Sequence, residues 1–274
     1  MSIKLYAKKW LPPALISHLK PLLKHGIYYS GNYPDWATAI SHASGYDAAM
    51  ILERVRQAAV KVTAGEAKYE RDSVLFENVQ HSFSVLAGLL RAASENGNQL
   101  SVLDFGGSLG SSYYQCRDFL STISSLKWSV VEQENFVRCG REQFETEKLK
   151  FYYTIAECIQ HAKPNVVLLS SVLQYLPEPY VVLNELINCD APYVIIDRTV
   201  CSEREYDHIG VQHVPSSIYK ASYPIRIFGK QAILGAFHGR YELIADFVTN
   251  WDGSGSEICS GLEFVSGGMI LRKI

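Results

Sequence analysis

The chain has 274 residues, 47% of them apolar and 20% charged, with a formal net charge of -2. That composition supplies a large core and excludes a disordered, collagen-like or low-complexity chain. It also provides no overall basic field to hold a nucleic-acid backbone, which argues against a DNA- or RNA-coating role.

Residues 1–34 contain Lys4, Lys8, Lys9, Lys20 and Lys24 and no acid. Apolar residues such as Trp10, Leu11, Leu15 and Leu19 lie among these lysines, interrupted by Pro12, Pro13 and Pro21. The expectation is either an arm packed on the body or a weak contact with an anionic membrane surface. Residues 35–99 read as helical. Ile51, Leu52, Val55, Ala58, Ala59 and Val62 recur at helical spacing, as do Phe83, Leu86, Leu89, Leu90 and Ala93. Residues 1–99 are therefore expected to form a helical extension, or cap.

The pattern changes at Leu100. LSVLDF (100–105), WSVVE (128–132), a weaker FYY (151–153), NVVLLSS (165–171) and YVIIDR (193–198) read as strands. Stretches of helical length separate them, at 111–125, 135–148 and 177–189. Such alternation predicts an α/β fold with a mostly parallel sheet covered on both faces. YELIADF (241–247) and LEFVSGGMILRK (262–273), joined across WDGSGSE (251–257), predict an antiparallel hairpin at one sheet edge. Residues 100–274 are thus expected to form one domain of about seven strands. Residues 199–232 read as a long insert that covers the substrate. The six cysteines are too widely spaced for a zinc or iron–sulfur motif, which predicts free thiols, a cytoplasmic setting and no metal. No apolar run is long enough for a membrane-spanning helix, and no secretory signal is evident.

The most informative segment is Val102–Gly110. An apolar strand runs into Asp104 and then into a loop with Gly106, Gly107, Ser108 and Gly110. A loop with so few large side chains lets backbone N–H groups approach a ligand at the carboxyl edge of a parallel sheet. The helix that follows adds further donors for an anionic group. Glu132 ends the next strand, where a carboxylate can accept from both hydroxyls of a ribose. The dinucleotide fingerprint GxGxxG, the phosphate-binding GxxxxGK[ST] loop and the YxxxK pair of short-chain dehydrogenases are all absent.

The segment resembles motif I of the class I S-adenosylmethionine-dependent methyltransferases, in which an acid is followed by glycines at +2, +4 and +6. Gly106 and Gly110 hold +2 and +6, whereas Ser108 occupies +4 and Gly107 occupies +3. SSVLQYLPEP (170–179) is similar to the segment after that family's fourth strand. DFGGSLGSSYY, WSVVEQ, SSVLQYLPEPY, IIDR, VQHVPSSIY and SYP, taken in order, most resemble a bacterial group assigned as methyltransferases and encoded near surface-polysaccharide genes.

The resemblance implies a Rossmann-like sandwich with a seven-stranded sheet, and S-adenosyl-L-methionine as cofactor. It implies that Asp104, Gly106, Gly107, Ser108 and Gly110 surround the methionine part, with Tyr113 within reach. Glu132 and Gln133 would hold the ribose. Thr154, Ile155 and Ala156 fall at the adenine loop, and Ser170, Ser171 and Gln174 at the edge facing the sulfonium. An oxygen acceptor would also need a base, for which Asp197, His208 and His213 are candidates. The implied activity is O-methylation of a small molecule or glycan, with surface polysaccharide as the associated pathway. Oligomeric state is left open. Two other classes also stay open. One is a catalytically inactive cofactor-binding or assembly protein, to which Ser108 and the lack of an obvious base point. The other is a nicotinamide oxidoreductase, which the missing fingerprints disfavour.

Overall fold

The computed structural model describes residues 26–45, 48–71, 73–215, 221–249 and 256–274. The five lysines of the amino-terminal arm lie outside the described residues, as does most of the turn at 251–257. The chain divides into two units. Among the described residues, the larger holds 48–71, 73–199, 234–249 and 267–274; the smaller holds 26–45, 200–215, 221–233 and 256–266.

In the larger unit, helix α2 (Ala48–Thr63) buries Val55, Ala58, Ala59 and Val62 on one face, and α3 (Phe83–Glu95) buries Val85, Leu86, Leu89, Ala92 and Ala93. Both follow the helical spacing of their apolar residues. Between them β2 (Tyr69–Arg71) and β3 (Val74–Phe76) form a small antiparallel sheet of their own, with Tyr69 stacked on Phe76 at 4.7 Å. This hairpin corrects the all-helical expectation for the region. Three-residue strands are too short to show a period of two.

The main strands of this unit are β4 (Gln99–Phe105), β5 (Ser125–Val131), β6 (Leu149–Tyr152), β7 (Val166–Ser170), β8 (Tyr193–Ser202), β11 (Tyr241–Val248) and β13 (Leu262–Lys273). They pair in the order β11-β13-β8-β7-β4-β5-β6. β6, β5, β4, β7 and β8 are parallel neighbours, with Asp104 opposite both Val130 and Leu168, and Ser170 opposite Asp197. β11 and β13 are antiparallel, with Tyr241 opposite Lys273. Helices connect the parallel strands: α4 (Ser111–Cys116), α5 (Glu134–Gln143), α6 (Ile155–His161) and α7 (Pro179–Ile187). Val166, Val167, Leu168 and Leu169 are each 0% exposed, as expected of a central parallel strand buried on both faces. After β4 the chain builds outward through β5 and β6, then returns to place β7 and β8 on the other side. The order therefore reverses between β4 and β7, where an open α/β sheet leaves its ligand crevice.

In the smaller unit, β1 (Tyr28–Tyr33) is followed by α1 (Trp36–Ser41). Asp35 caps α1 by accepting from the Thr38 N–H at 2.7 Å. β9 (His208–Val214) and β10 (Ala221–Gly229) pair antiparallel along seven residues, from Ala221 opposite Val214 to Ile227 opposite His208. β1 adds to β9, and β12 (Glu257–Cys259) adds to β1 and to the start of β13. Helix α8 (Lys230–Gly235) follows β10.

Pairing thus runs β13-β12-β1-β9-β10-β8. Because β8 also pairs with β13, the succession closes into a six-strand barrel. This corrects the expected sheet. The fold is a mixed sheet that includes a barrel, not only a seven-stranded parallel sheet with an edge hairpin. Among the described residues, 199–232 supply the end of β8, the strands β9 and β10 and the start of α8. HIGVQHV carries His208 and Gln212 at buried positions, and their hydrogen bonds to Gly31 O and the Tyr223 hydroxyl satisfy them there. Without those partners in view, the segment reads as polar.

Gly268 on β13 passes so close to the Ile196 carbonyl of β8 and the Phe247 ring that a Cβ would overlap both. Gly268→Ala is expected to destabilise the protein by about 1–3 kcal/mol, the scale of overpacking. Gly235→Ala, at an open helix position, is expected to leave the melting temperature unchanged or slightly higher. Paired thermal melts check both; equal melting temperatures would contradict the close approach.

Candidate functional site

The site is built at the carboxyl ends of the parallel strands of the larger unit. Asp104 stands one residue from the end of β4 and is 1% exposed. Trp128, on the neighbouring β5, donates its Nε1–H to Asp104 Oδ2 at 2.9 Å, while Oδ1 is buried with no hydrogen-bond partner. Burial pushes the Asp104 carboxyl up to about 7; the Trp128 hydrogen bond opposes the shift, and the Glu132 charge adds to it.

The glycine loop sits directly on this carboxyl group. A Cβ at Gly107 would lie 2.5 Å from Asp104 Cγ, and one at Gly106 would overlap the Val172 side chain. Gly106 and Gly110 have φ of +71° and +93°, and Ser108, at +55°, shares the left-handed region. Glycine is required at Gly106 for space and backbone freedom, and at Gly107 for space. The loop closes on itself through Gly110 N–H to Gly107 O at 3.0 Å and leads into α4, which is only six residues long. Tyr113 on α4 is half-buried, its ring edge-on to Trp128 at 5.9 Å. It therefore braces the residue that holds Asp104.

Glu132 follows β5 directly. Its carboxylate accepts from the backbone N–H of Gln133 at 2.6 Å and from that of Ser108, so the acid and the loop are joined. Burial nevertheless raises its pKa. Gln133 is exposed and caps α5. On the other side of β4, Ser170 Oγ donates to Asp197 Oδ2 at 2.7 Å, and Ser171 N–H donates to Asp197 O at 2.9 Å. Asp197 is 3% exposed, and its Oδ1 is buried without a partner. Burial raises its pKa against the charge of Arg198, whose Nε lies 3.6 Å from Oδ2. Gln174 donates Nε2–H to Arg198 O at 3.0 Å, and its Oε1 is a third buried acceptor without a partner.

Asp104, Gly106, Gly107, Ser108, Gly110, Glu132, Gln133, Ser170 and Ser171 thus all stand at the ends of β4, β5 and β7, while Asp197 lies midway along β8, opposite Ser170. Ile155 lies past β6, buried in the first turn of α6, with Thr154 as the cap. Glu157 is committed to Arg141 at 2.6 Å and to the Tyr153 N–H at 2.8 Å. The two histidines belong to the smaller unit and stand on strand β9, where a loop was expected. His208 Nε2 is 3.0 Å from Gly31 O; His213 Nε2 is 2.8 Å from Ser30 Oγ, and its ring stacks on Tyr28 at 4.4 Å. Burial lowers the pKa of both.

Sequence reasoning missed Trp128 as the partner of Asp104. It also missed buried Glu70, which accepts from Ser111 Oγ at the start of α4 and from Ser73 N–H at 3.0 Å. The signal for Trp128 was available. Parallel pairing sets it opposite Val102, on the same face as Asp104 and one pleat away.

No family model matches the chain, and no curated protein matches it. Among solved structures, the chain is similar to magnesium protoporphyrin IX methyltransferase from Synechocystis PCC 6803 with bound SAM, at 12% identity and a TM-score of 0.46 over 84% of this chain and 99% of that one. It is similar to the N-terminal domain of EvdMO1 in the presence of SAH and D-fucose, at 12% identity and 0.46 over 84% and 98%. It is also similar to 1,6-didemethyltoxoflavin-N1-methyltransferase from Burkholderia thailandensis with 1,6-didemethyltoxoflavin and S-adenosylhomocysteine, at 13% identity and 0.42 over 84% and 94%.

Asp104 gives the site a pH signature. Its native pKa of about 7 lies above the unfolded value of ~4. The native state keeps a proton that the unfolded chain releases across that window, so the carboxyl's contribution to stability is complete below pH ~4 and is lost as pH rises through 7. Wild-type unfolding free energy is expected to fall between about pH 4 and 7.5. In Asp104→Asn the decline should be shallower, because that proton is gone. Urea titrations at a series of pH values measure both slopes, and parallel curves would contradict a protonated Asp104.

Proposed function

We propose that the protein is an S-adenosylmethionine-dependent methyltransferase acting on a small molecule or glycan. The carrying observation is the glycine loop seated on buried Asp104 and tied through the Ser108 N–H to Glu132. The donor set suits this cofactor. Glu132 uses two of its roughly four lone-pair sites on backbone N–H groups, leaving capacity for two ribose hydroxyls. The lack of side chains at Gly106 and Gly107 lets the loop settle on Val172 and Asp104, and the partnerless acceptors of Asp104 and Gln174 are suited to the cofactor's ammonium group.

The cofactor supplies an activated methyl group. The chain's part is to align the acceptor with it and keep water out; alignment alone can supply much of the rate. For a hydroxyl acceptor a proton must also leave, and Asp197 is the first candidate to take it. It stands within β8 opposite the end of β7, its pKa is raised from the usual carboxylate range, and its Oδ1 is uncommitted. His213 and His208 are the alternatives; their lowered pKa keeps them in the neutral form that accepts a proton. The ordered motifs between residues 104 and 224 support the narrower reading of O-methylation linked to surface polysaccharide. Contact of residues 1–34 with an anionic membrane surface belongs to the same proposal and rests on the lysines alone. Among the described residues no helix is long and apolar enough to cross a membrane.

Thermal shift tests the cofactor reading. SAM or SAH at 100 times its dissociation constant should stabilise the protein by about 2.7 kcal/mol, while NAD(P) should not. Glu132→Ala should weaken SAH binding by about 1–3 kcal/mol, the effect of losing a buried hydrogen-bond partner. NAD(P) stabilisation alone would overturn the assignment, and tight SAH binding without turnover on any acceptor would favour a non-catalytic role. Among Asp197→Ala, His208→Ala and His213→Ala, the variant that removes the base should lose roughly 10²–10⁴-fold in turnover with cofactor affinity nearly intact. If none loses more than about tenfold, catalysis proceeds by alignment alone.

A further inference from the structure

Arg198 is held in a way that its surroundings over-determine. Its φ is +50°, in the left-handed region that a long side chain rarely occupies. Three contacts hold this conformation. Gln174 Nε2 donates to its carbonyl at 3.0 Å, Ser171 N–H donates to the preceding Asp197 carbonyl at 2.9 Å, and its Nε donates to Ser170 Oγ at 3.3 Å. Ser171 has a left-handed φ of +59° as well. Strain of this kind costs on the order of 1–3 kcal/mol and persists where an aimed side chain repays it.

The conformation aims a guanidinium that is only partly used. Asp197 Oδ2, 3.6 Å from Nε, and Ser170 engage only the inner edge of the fork. The two terminal nitrogens have no hydrogen-bond partner among the described residues, and the side chain keeps 19% of its surface exposed. Its charge lowers the pKa of Asp197 and, more weakly, those of Asp104 and Tyr69. A planar fork with a free terminal edge matches a carboxylate or phosphate, which it binds through two parallel hydrogen bonds.

The position within the sheet indicates which ligand carries that anion. Glu132, the proposed ribose contact, ends β5, while Arg198 stands on β8, three strand spacings or about 14 Å away. β4 and β7 lie between them, and the glycine loop follows β4. With the nucleoside at β5 and the methionine portion over β4, the β7–β8 edge is left to the acceptor. Resting on the methyltransferase reading, we propose that Arg198 is a specificity-determining residue that binds an anionic group, carboxylate or phosphate, on the methyl acceptor. The acceptor class is then an acidic small molecule or acidic sugar, with the anion at Arg198 and the methylated atom beside Asp197.

The test uses the full chain saturated with SAH, with benzoate and inorganic phosphate as probes and calorimetry or ligand-observed NMR as readout. Wild type is expected to bind at least one probe. Arg198→Asn, chosen because asparagine tolerates the left-handed backbone, should weaken that binding at least tenfold. Arg198→Lys should retain part of it. SAH affinity should stay within about twofold in both variants, which also shows that they fold. If wild type binds SAH but neither probe, or if Arg198→Asn binds the probe as well as wild type, the proposal fails. A tenfold loss of SAH affinity with decarboxylated S-adenosylmethionine unaffected would assign the guanidinium to the cofactor's carboxylate and overturn the acceptor role. If wild type binds no SAH, the methyltransferase reading itself fails.

Discussion

The arrangement at the sheet edge depends on one buried carboxyl group. Placing Asp104 inside a parallel sheet with a single hydrogen bond, from Trp128, is costly, and the protein meets that cost partly by keeping the group near its protonated form. The carboxyl group also acts as a floor. The loop can lie on it only if position 107 has no side chain, and it can turn above it only if Gly106 and Gly110 take left-handed conformations. Once seated, the loop turns the Ser108 N–H toward Glu132, and a loop from one strand becomes joined to an acid from the next. Trp128, Tyr113 and the Glu70–Ser111 pair all brace this one corner.

The strand ends beside it repeat the pattern with different chemistry. Asp197 is buried midway along β8, level with the end of β7, as Asp104 is buried near the end of β4, and each keeps one oxygen without a partner. Indole and glycine surround the first; serine, arginine and a glutamine brace surround the second. That asymmetry divides the edge into a part shaped for close backbone approach and a part shaped for charged and polar contact. It is the physical basis for placing cofactor and acceptor on different strands.

Much of the larger unit was legible because central parallel strands need continuous apolar runs, and LSVLDF, WSVV, NVVLLS and YVII supply them. Helices α2 and α3 were legible from their period. The smaller unit was not. β1 is YYSGNY, with no aliphatic residue, and β9 buries His208 and Gln212 through partners far away in sequence. Propensity cannot register a polar residue that a distant strand satisfies. The same limit applies at the site. The glycines, Asp104 and Glu132 announce themselves by spacing, but the Trp128 bond and the left-handed Arg198 become visible only once the strand register is known.

The central claim is that the β4–β5 edge holds the nucleoside and methionine portions of S-adenosylmethionine. A crystal structure of the full chain with S-adenosylhomocysteine measures this directly. The account predicts ribose hydroxyls within hydrogen-bond distance of the Glu132 carboxylate, the homocysteine portion along Gly106–Ser108, and an open β7–β8 edge beside Arg198. Ligand density elsewhere, or a ribose with no contact to Glu132, would contradict it.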